Sequence, residues 1–445
     1  MNIKFFLLTA AVSITFAKAQ DSNQKWSFES CVEHAITHNL VIKQKQIQNT
    51  NAAVALNTAK MSRLPDLNAG LGQNWSFGRT NYNQSGIYEN QTTSRTGFDI
   101  SSSTPLFTGF RISNQIEKSR IDLEASLQNL EKAKEDLVLN VTSLFLQVLF
   151  NQELLKISEE QLSLTQTQVD RTIQLLETGK VPKSQVYDIQ AQAAKDEVSL
   201  IQAENNLQLS LLDLAQSLEL ERIKEFNIIS PNSDNLIEES LSSILLPEII
   251  YANALGIKPQ IREQELRLES ANKDVNIAKS GYLPKLNFNL QYNTSYFHNY
   301  NSESTPFKNQ LKNNAGEMIG LSLSVPIFNR FQVRNQVKST RLNVQLQSYI
   351  LEDSKKTLYK EIQTAYLNAK ASSHKYNSAQ KAVEATQTSF FYAKERYETG
   401  KSTVFEFDDA KTKLMQTLSE QVQAKYDYVF RVKILDFYNG VDIRL

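Results

Sequence analysis

Two acidic residues, Glu406 and Asp409, are the best candidates for chemistry in this sequence. They are three positions apart in a segment without Gly or Pro, so a helix would place both carboxylates on one face. Carboxylates held close together repel each other, attract cations and raise each other's pKa. The alternative is structural, because acidic residues in the first turn of a helix complement the helix dipole.

Cys31, His34 and His38 are a second candidate, at helical spacings that could bring them to one metal ion. No fourth ligand is evident nearby, so the sequence does not favour a metal site. A phosphate-binding loop of the G-x-x-x-x-G-K-[ST] kind is absent from the sequence, and its four histidines suggest no catalytic triad. We therefore expect no enzyme activity and no metal or other cofactor.

The acidic pair follows the second copy of a duplicated segment. Each copy opens with Ser-x-Pro-Leu/Ile-Phe and closes with Glu-Thr-Gly-Lys, and equivalent residues are 221 positions apart. These motifs stand at 103–107, 177–180, 324–328 and 398–401. A period this long is not typical of an array of short repeats. It predicts two large tandem repeats, 20–246 and 247–445, after an N-terminal segment, 1–19.

Between its two motifs, each copy is predicted to form one uninterrupted helix, roughly 100 Å long at about 1.5 Å per residue. Apolar residues recur every seven positions, as in a coiled coil. One series contains Leu127, Val141, Val148, Leu155, Leu162, Val169 and Leu176. The other is Leu at 123, 130, 137 and 144 but becomes Asn151, Ser158, Thr165 and Thr172. This half-seam predicts a wall one helix thick with water on one side; the alternative is an ordinary long coiled coil.

Shorter segments complete each repeat. Segments with few breakers predict helices at 26–64, 183–220, 247–283 and 403–438. Four other segments alternate apolar with small polar residues, which predicts strands at about 66–78, 96–107, 285–297 and 317–328, with a polar loop at 79–95. Each repeat is therefore helix, strand, strand, very long helix, turn and helix.

The polar faces of these strands are Asn, Gln, Ser and Gly, almost without charge. Strands of about ten residues with one apolar and one small polar face are typical of a transmembrane barrel with a wet lumen. Aromatic residues near the loop ends suit an interfacial girdle; these are Trp75, Tyr82, Tyr88, Tyr292, Tyr296 and Tyr300. The alternative is a soluble antiparallel sheet packed on the helices.

Four strands cannot close a barrel, because the smallest membrane barrels have about eight strands and open edges are not tolerated in lipid. Three copies of the chain would supply twelve strands, and threefold rings are a common closed symmetry. We therefore predict a mainly α protein with a small transmembrane β part, assembled as a homotrimer around one twelve-stranded barrel.

The N-terminus is predicted to be a secretory signal peptide, with Lys4, a short apolar core (5–17) and cleavage after Ala19. No uninterrupted apolar run reaches the roughly 18 residues of a membrane helix. The formal net charge of zero argues against a nucleic-acid partner. One cysteine excludes an internal disulfide.

Together these features resemble the TolC family of outer-membrane efflux proteins. The matching motifs are the duplicated Ser-x-Pro-Leu/Ile-Phe ends, the Leu-Pro steps at Pro65 and Pro284, and the repeated Thr-Gly-Lys turns, the second followed by Val-Phe-Glu-Phe-Asp-Asp-Ala at 404–410. The resemblance implies a trimer in the outer membrane of a Gram-negative-type envelope, whose β-barrel, in contact with membrane lipid, continues into a long periplasmic helical barrel. The helix-turn tips would dock a periplasmic adaptor protein, which connects to an inner-membrane pump of the RND, ABC or a similar class. The tip residues here are Thr178, Gly179, Lys180, Thr399, Gly400 and Lys401.

The resemblance also implies a gate. Glu406 and Asp409 align with the acidic positions that close the periplasmic mouth in this family, so a trimer would place six carboxylates around one axis. The first repeat has Gln185 and Asp188 at the equivalent positions, so the gate would be asymmetric. Tyr397 matches a tyrosine that helps to hold the tip closed, whereas Ser402 stands where its basic partner is usual.

The function that follows is a passive exit duct for drugs, metals or secreted polypeptides, with no power source of its own. The alternative is a structural or adhesive coiled-coil protein of the cell envelope, with its strands in a soluble sheet.

Overall fold

A computed structural model describes residues 25–80, 88–220, 226–230 and 245–445. The predicted signal peptide and Tyr82 lie outside these ranges. The first repeat contains α1 (Phe28–His38), α2 (Leu40–Met61), β1 (Asn68–Thr80), β2 (Glu89–Phe107), α3 (Arg111–Glu177) and α4 (Lys183–Ser217). The second contains α5 (Pro247–Ile257), α6 (Pro259–Lys279), β3 (Lys285–Asn299), α7 (Phe307–Asn313), β4 (Gly316–Ser324), α8 (Gln332–Glu398) and α9 (Val404–Tyr438).

The opening helix of each repeat is broken, so the single helices predicted over 26–64 and 247–283 are wrong. Asn39 takes an extended conformation (ψ 132°), and its side chain accepts a 2.9 Å hydrogen bond from the Val41 N–H. Lys258 is extended as well (ψ 123°). It precedes Pro259, and the proline ring disfavours the helical conformation for the residue before it.

The two long helices, α3 and α8, have 67 residues each, as the absence of Gly and Pro predicts. By length and composition, α3 could cross a membrane. The same helix supplies Phe145 and Val148 to the largest buried cluster, and a core helix also meets that criterion.

This half of α3 has water on one side, as predicted, since Glu159, Ser163 and Gln166 are exposed. Asn151, Thr165 and Thr172 are buried, however, so the polar heptad series is not the side that faces water. Each is hydrogen-bonded: Asn151 donates to the Asn206 carbonyl (3.2 Å), and Thr172 donates to the Gln168 carbonyl (2.7 Å). Paired polar groups can be buried at little cost, which the apolar periodicity alone does not reveal.

The largest core joins the two repeats. It packs Phe28 of α1, Phe145 of α3 and Leu214 of α4 against Val429 of α9. A second core lies within the second repeat, where Ile250 of α5 contacts residues of α6, α8 and α9. Because Val429 lies in the largest core, α9, the closing helix of the second repeat, packs on helices of the first repeat.

The strands form one antiparallel sheet in the order β1-β2-β3-β4. Pairing continues from Asn68 opposite Ser101 to Thr80 opposite Glu89, so the polar loop predicted over 79–95 is too long. β4 is shorter than its predicted range and ends at Ser324. Helix α7, which was not predicted, lies between β3 and β4 and contacts β3.

The register places the apolar residues of neighbouring strands on one face. Leu71 lies opposite Phe98, Phe288 opposite Leu321, and Leu290 opposite Ile319. This face is open: the exposed fraction is 75% for Ile319 and 66% for Leu321. A soluble sheet packed on the helices would cover these side chains, so that alternative is wrong.

Candidate functional site

The two helix-turn tips have the same backbone structure. Gly179 and Gly400 adopt left-handed conformations, with φ of 68° and 73°. After each glycine, a lysine N–H turns back to the helix, from Lys180 to the Leu175 carbonyl (2.9 Å) and from Lys401 to the Arg396 carbonyl (2.8 Å). This is the Schellman arrangement that ends helices at glycine. It leaves the side chains of the tip residues exposed.

We expect Gly400→Ala to destabilise the second tip by about 1–2 kcal/mol, the usual cost of a left-handed residue with a Cβ. A Cβ at Gly400 would meet no atom within 4 Å, so this cost comes from the backbone alone. Gly256→Ala is the matched control, because Gly256 is equally open but lies in α5 without a positive φ. Hydrogen exchange of the amides at 396–403 measures the effect. Equal exchange in both variants would contradict the backbone explanation.

The acidic pair lies at the start of α9, next to the second tip. Thr403 caps the helix by accepting a 3.3 Å hydrogen bond from the Glu406 N–H. The Glu406 carboxylate accepts a hydrogen bond from Ser402 and lies 3.6 Å from the Arg396 guanidinium. Asp409 pairs with Lys413 at 2.7 Å. Within one chain, each carboxylate therefore has its own cationic partner, and both are about half exposed.

Tyr397 has a basic neighbour that the sequence did not suggest. Its ring stacks on Phe407 at 5.1 Å, and the Arg171 guanidinium carbon lies 5.8 Å from its centre. Arg171 also donates to the Glu398 carbonyl (3.1 Å). Because Arg171 belongs to α3, this contact joins the two tips. Asp188 is exposed on α4.

A buried charged cluster just behind the acidic pair was missed from the sequence. The Lys411 ammonium lies 2.6 Å from the Thr165 hydroxyl and 3.3 Å from the Asp196 carboxylate. The side chain of Lys411 is 0% exposed and that of Asp196 is 2% exposed. Gln161 and Gln192 donate to the other carboxylate oxygen of Asp196 at 2.8 and 2.9 Å. One feature of the sequence could have revealed this cluster. Asp196 is the charged member of a heptad series of α4 whose other members are Ile189, Ala203 and Ser210.

Asp408 borders this cluster, 3.4 Å from the Lys411 ammonium. Burial raises the pKa of the Asp408 carboxyl, although Lys411 opposes the shift. Among the described residues, the oxygen that faces Lys411 makes no well-aligned hydrogen bond, so its stabilisation as a carboxylate rests on the ion pair with Lys411.

This shift predicts a pH dependence of stability. A carboxyl whose pKa is higher in the folded state binds more protons when folded, so stability rises as pH falls from neutral through that raised pKa. The gain is complete below the ordinary pKa of the unfolded chain. We expect Asp408→Asn to be more stable than wild type at neutral pH and to lose this part of the pH dependence. Thermal unfolding at a series of pH values measures it; identical profiles for the two proteins would contradict the assignment.

Cys31, His34 and His38, which were considered as metal ligands, do not form a metal site in the structure. Cys31 is fully buried in the main core, and burial raises the pKa of its thiol to about 12. Metals bind the thiolate, so this environment disfavours coordination. The His34 and His38 rings stack 4.0 Å apart. In the ranges that the structure describes, no group of three His, Cys, Asp or Glu residues is placed to hold a metal.

Comparison with known proteins identifies the fold and the family. A family model described as outer membrane efflux protein matches residues 32–219 and 250–440. The outer membrane protein TolC of Escherichia coli (strain K12) is 22% identical over 435 residues, covering 95% of this chain and 84% of TolC. The cation efflux system protein CusC of the same strain is 22% identical over 427 residues, covering 93% and 86%. A crystal structure of CusC has a TM-score of 0.77 at 18% identity, covering 95% of this chain and 96% of that one.

The family match spans both repeats, and the fold is similar to that of CusC over 95% of this chain. The chain therefore belongs to the outer membrane efflux protein family, and it is an exit duct of the outer membrane rather than a coiled-coil scaffold of the envelope.

Proposed function

We propose that this protein is a passive homotrimeric duct that receives cargo from an inner-membrane pump through a periplasmic adaptor. The observation that carries the trimer is the sheet, which has an exposed apolar face and two edge strands, β1 and β4, that pair with no further strand among the described residues. Lipid cannot satisfy the backbone groups of an open edge. Pairing β1 of one copy with β4 of the next would close twelve strands from three copies.

The tips are the proposed docking sites for the adaptor. Thr178–Lys180 and Thr399–Lys401 share one backbone geometry and stand exposed at the ends of helices about 100 Å long. The cargo is proposed to be small molecules, such as drugs or metal ions, or polypeptides. The polar face of the strands is mostly Asn, Gln, Ser and Gly, and the register adds Glu89, Arg95 and Asp99 of β2 to it.

Glu406, Asp409, Asp188 and Tyr397 are proposed to form the periplasmic gate. Ion pairs between exposed side chains contribute about 0–1 kcal/mol each. The Arg396 and Lys413 partners therefore hold the acidic pair weakly, and the carboxylates can respond to neighbouring copies or to cations.

The gate is tested by single-channel conductance in planar bilayers and by antibiotic leakage into cells. We expect Glu406→Ala and Asp409→Ala to raise both. Asp427→Ala is the matched control, because Asp427 forms the same kind of exposed ion pair with Arg431 on α9, far from the tip. Conductance and leakage at the control level would count against the gate.

The trimeric duct is tested separately by electron microscopy of the detergent-extracted membrane fraction. A threefold particle with a rod roughly 100 Å long below a small barrel supports it. A soluble monomer, or a rod without a barrel, would contradict it.

A further inference from the structure

The two repeats contain the same polar contact between their long helix and their closing helix, with different chemistry. In the first repeat, Thr165 of α3 donates to Asp196 of α4. The residues 221 positions later are Thr386 of α8 and Thr417 of α9, whose hydroxyl oxygens are 2.7 Å apart. The second contact is neutral, whereas the first carries a buried negative charge.

That charge is neutralised from the other repeat. Lys411 belongs to α9, and the residue 221 positions earlier is Gln190, which carries no charge. The Lys411 side chain is fully buried and reaches both members of the first contact, Thr165 and Asp196. An unpaired charge in the interior is costly, so Asp196 does not tolerate the loss of Lys411. At this level, α9 cannot leave α3 and α4 without leaving Asp196 buried and without its cation, whereas Lys411 would keep Asp408 of its own helix at 3.4 Å.

The contacts on either side of Lys411 differ in how deeply the donor groups are buried. Farther from the tip, Glu153 of α3, which is 30% exposed, accepts hydrogen bonds from Lys425 (2.7 Å, 13% exposed) and from the hydroxyl of the buried Tyr426 (2.6 Å). Nearer the tip, α3 meets the second repeat through Arg171 and Glu398, whose side chains are 36% and 37% exposed. Exposed pairs of this kind are weak. The polar contacts between the repeats are therefore stronger from Lys411 towards the sheet than from Lys411 towards the tip. Phe407, nearer the tip, is buried, but its ring contacts are with Phe390 and Tyr397 of its own repeat.

We propose that Thr165, Asp196 and Lys411 form an inter-repeat clamp that sets the point about which the second tip bends. Below the clamp, the start of α9 (404–410) and the end of α8 can move relative to α3 and α4. Above it, the helices of the two repeats move together. Lys411 is thus a positioning residue for the gate, and this role rests on the proposed function of the tips.

The clamp is tested in the full-length protein by hydrogen exchange of α9 and by single-channel conductance. Lys411→Met leaves Asp196 buried and unpaired. The double variant Asp196→Thr/Lys411→Gln gives each position the residue of its counterpart in the other repeat and leaves neither charge of the pair behind. Lys381→Met removes an exposed lysine of α8 and is the control.

We expect Lys411→Met to speed exchange at 404–417 by about a hundredfold or more, because breaking one side of a buried ion pair is strongly destabilising. Exchange at 425–438 should stay near that of wild type, and the duct should open more often. The double variant should fold and show the same changes at smaller size. If Lys411→Met fails to fold, hydrogen exchange at 404–417 in the double variant tests the clamp.

Exchange at 404–417 that matches the Lys381→Met control would overturn the clamp. So would an increase spread equally over 425–438, which would indicate a general contribution to the fold. Normal opening despite faster exchange would overturn the link between the clamp and the tip. A wild-type protein without conductance would instead refute the duct. Hydrogen exchange at 404–417 would still test the clamp in that case.

Discussion

Leu321→Arg is expected to prevent stable assembly of the protein in a membrane. Leu321 lies on the open apolar face of β4, opposite Phe288, and is 66% exposed in the single chain. An arginine on the lipid face of a barrel costs about 2–4 kcal/mol near the bilayer midplane, and a trimer would carry three of them. Resistance of the protein to carbonate extraction, together with the size of the extracted particle, measures the effect.

Ser322→Arg is the matched control for this prediction. Ser322 is the next residue of β4 and lies on the polar face, where its hydroxyl accepts a hydrogen bond from Asn289 (3.1 Å). An arginine there would face the proposed water-filled lumen, and we expect assembly to be retained. Equal extraction of the two variants would show that the two faces of the sheet are not separated by lipid and water.

Phe145→Ala is expected to lower the free energy of unfolding by about 3–5 kcal/mol, the usual cost of removing a buried aromatic ring. Phe145 is fully buried in the core shared by the two repeats, and its ring lies edge to face with Phe28 at 5.6 Å. The variant tests whether that core holds α9 against the first repeat. Denaturant unfolding in detergent measures the loss.

Leu127→Ala is the comparison within the same helix. Leu127 is 43% exposed although it belongs to the apolar heptad series of α3, so we expect a much smaller loss. Equal losses at the two positions would mean that the heptad pattern alone, and not the packing seen here, decides which residues form the core.

Much of the fold could be predicted from local patterns. The long helices follow from segments without Gly or Pro, and their ends follow from Gly179 and Gly400, which reach the left-handed conformation cheaply. The strands follow from alternation, because successive side chains point to opposite faces. The break at Lys258 was predictable in principle from Pro259, and the break at Asn39 from the capping preference of asparagine, whose side chain accepts from the Val41 N–H (2.9 Å). The bond that Asn39 donates to the distant Ser217 carbonyl (3.2 Å) was not predictable.

The site was only partly predictable. The turns and the acidic pair stand out because they recur or align with the family, and their roles in docking and gating remain proposals. Arg171 and the Lys411 cluster carry no motif, since each brings together residues from helices far apart in the sequence. Thr165 and Lys411 are an example, 246 positions apart and joined at 2.6 Å.

The sequence by itself determined the element order, the duplication and the two faces of the strands, because each depends on residues close together in the chain. Only the tertiary structure decided which polar residues of α3 are buried, what pairs with Asp196, and that the two repeats share one core. Those outcomes depend on the free energy of burying a group beside a particular partner, and the partner is chosen by helix packing across the repeats.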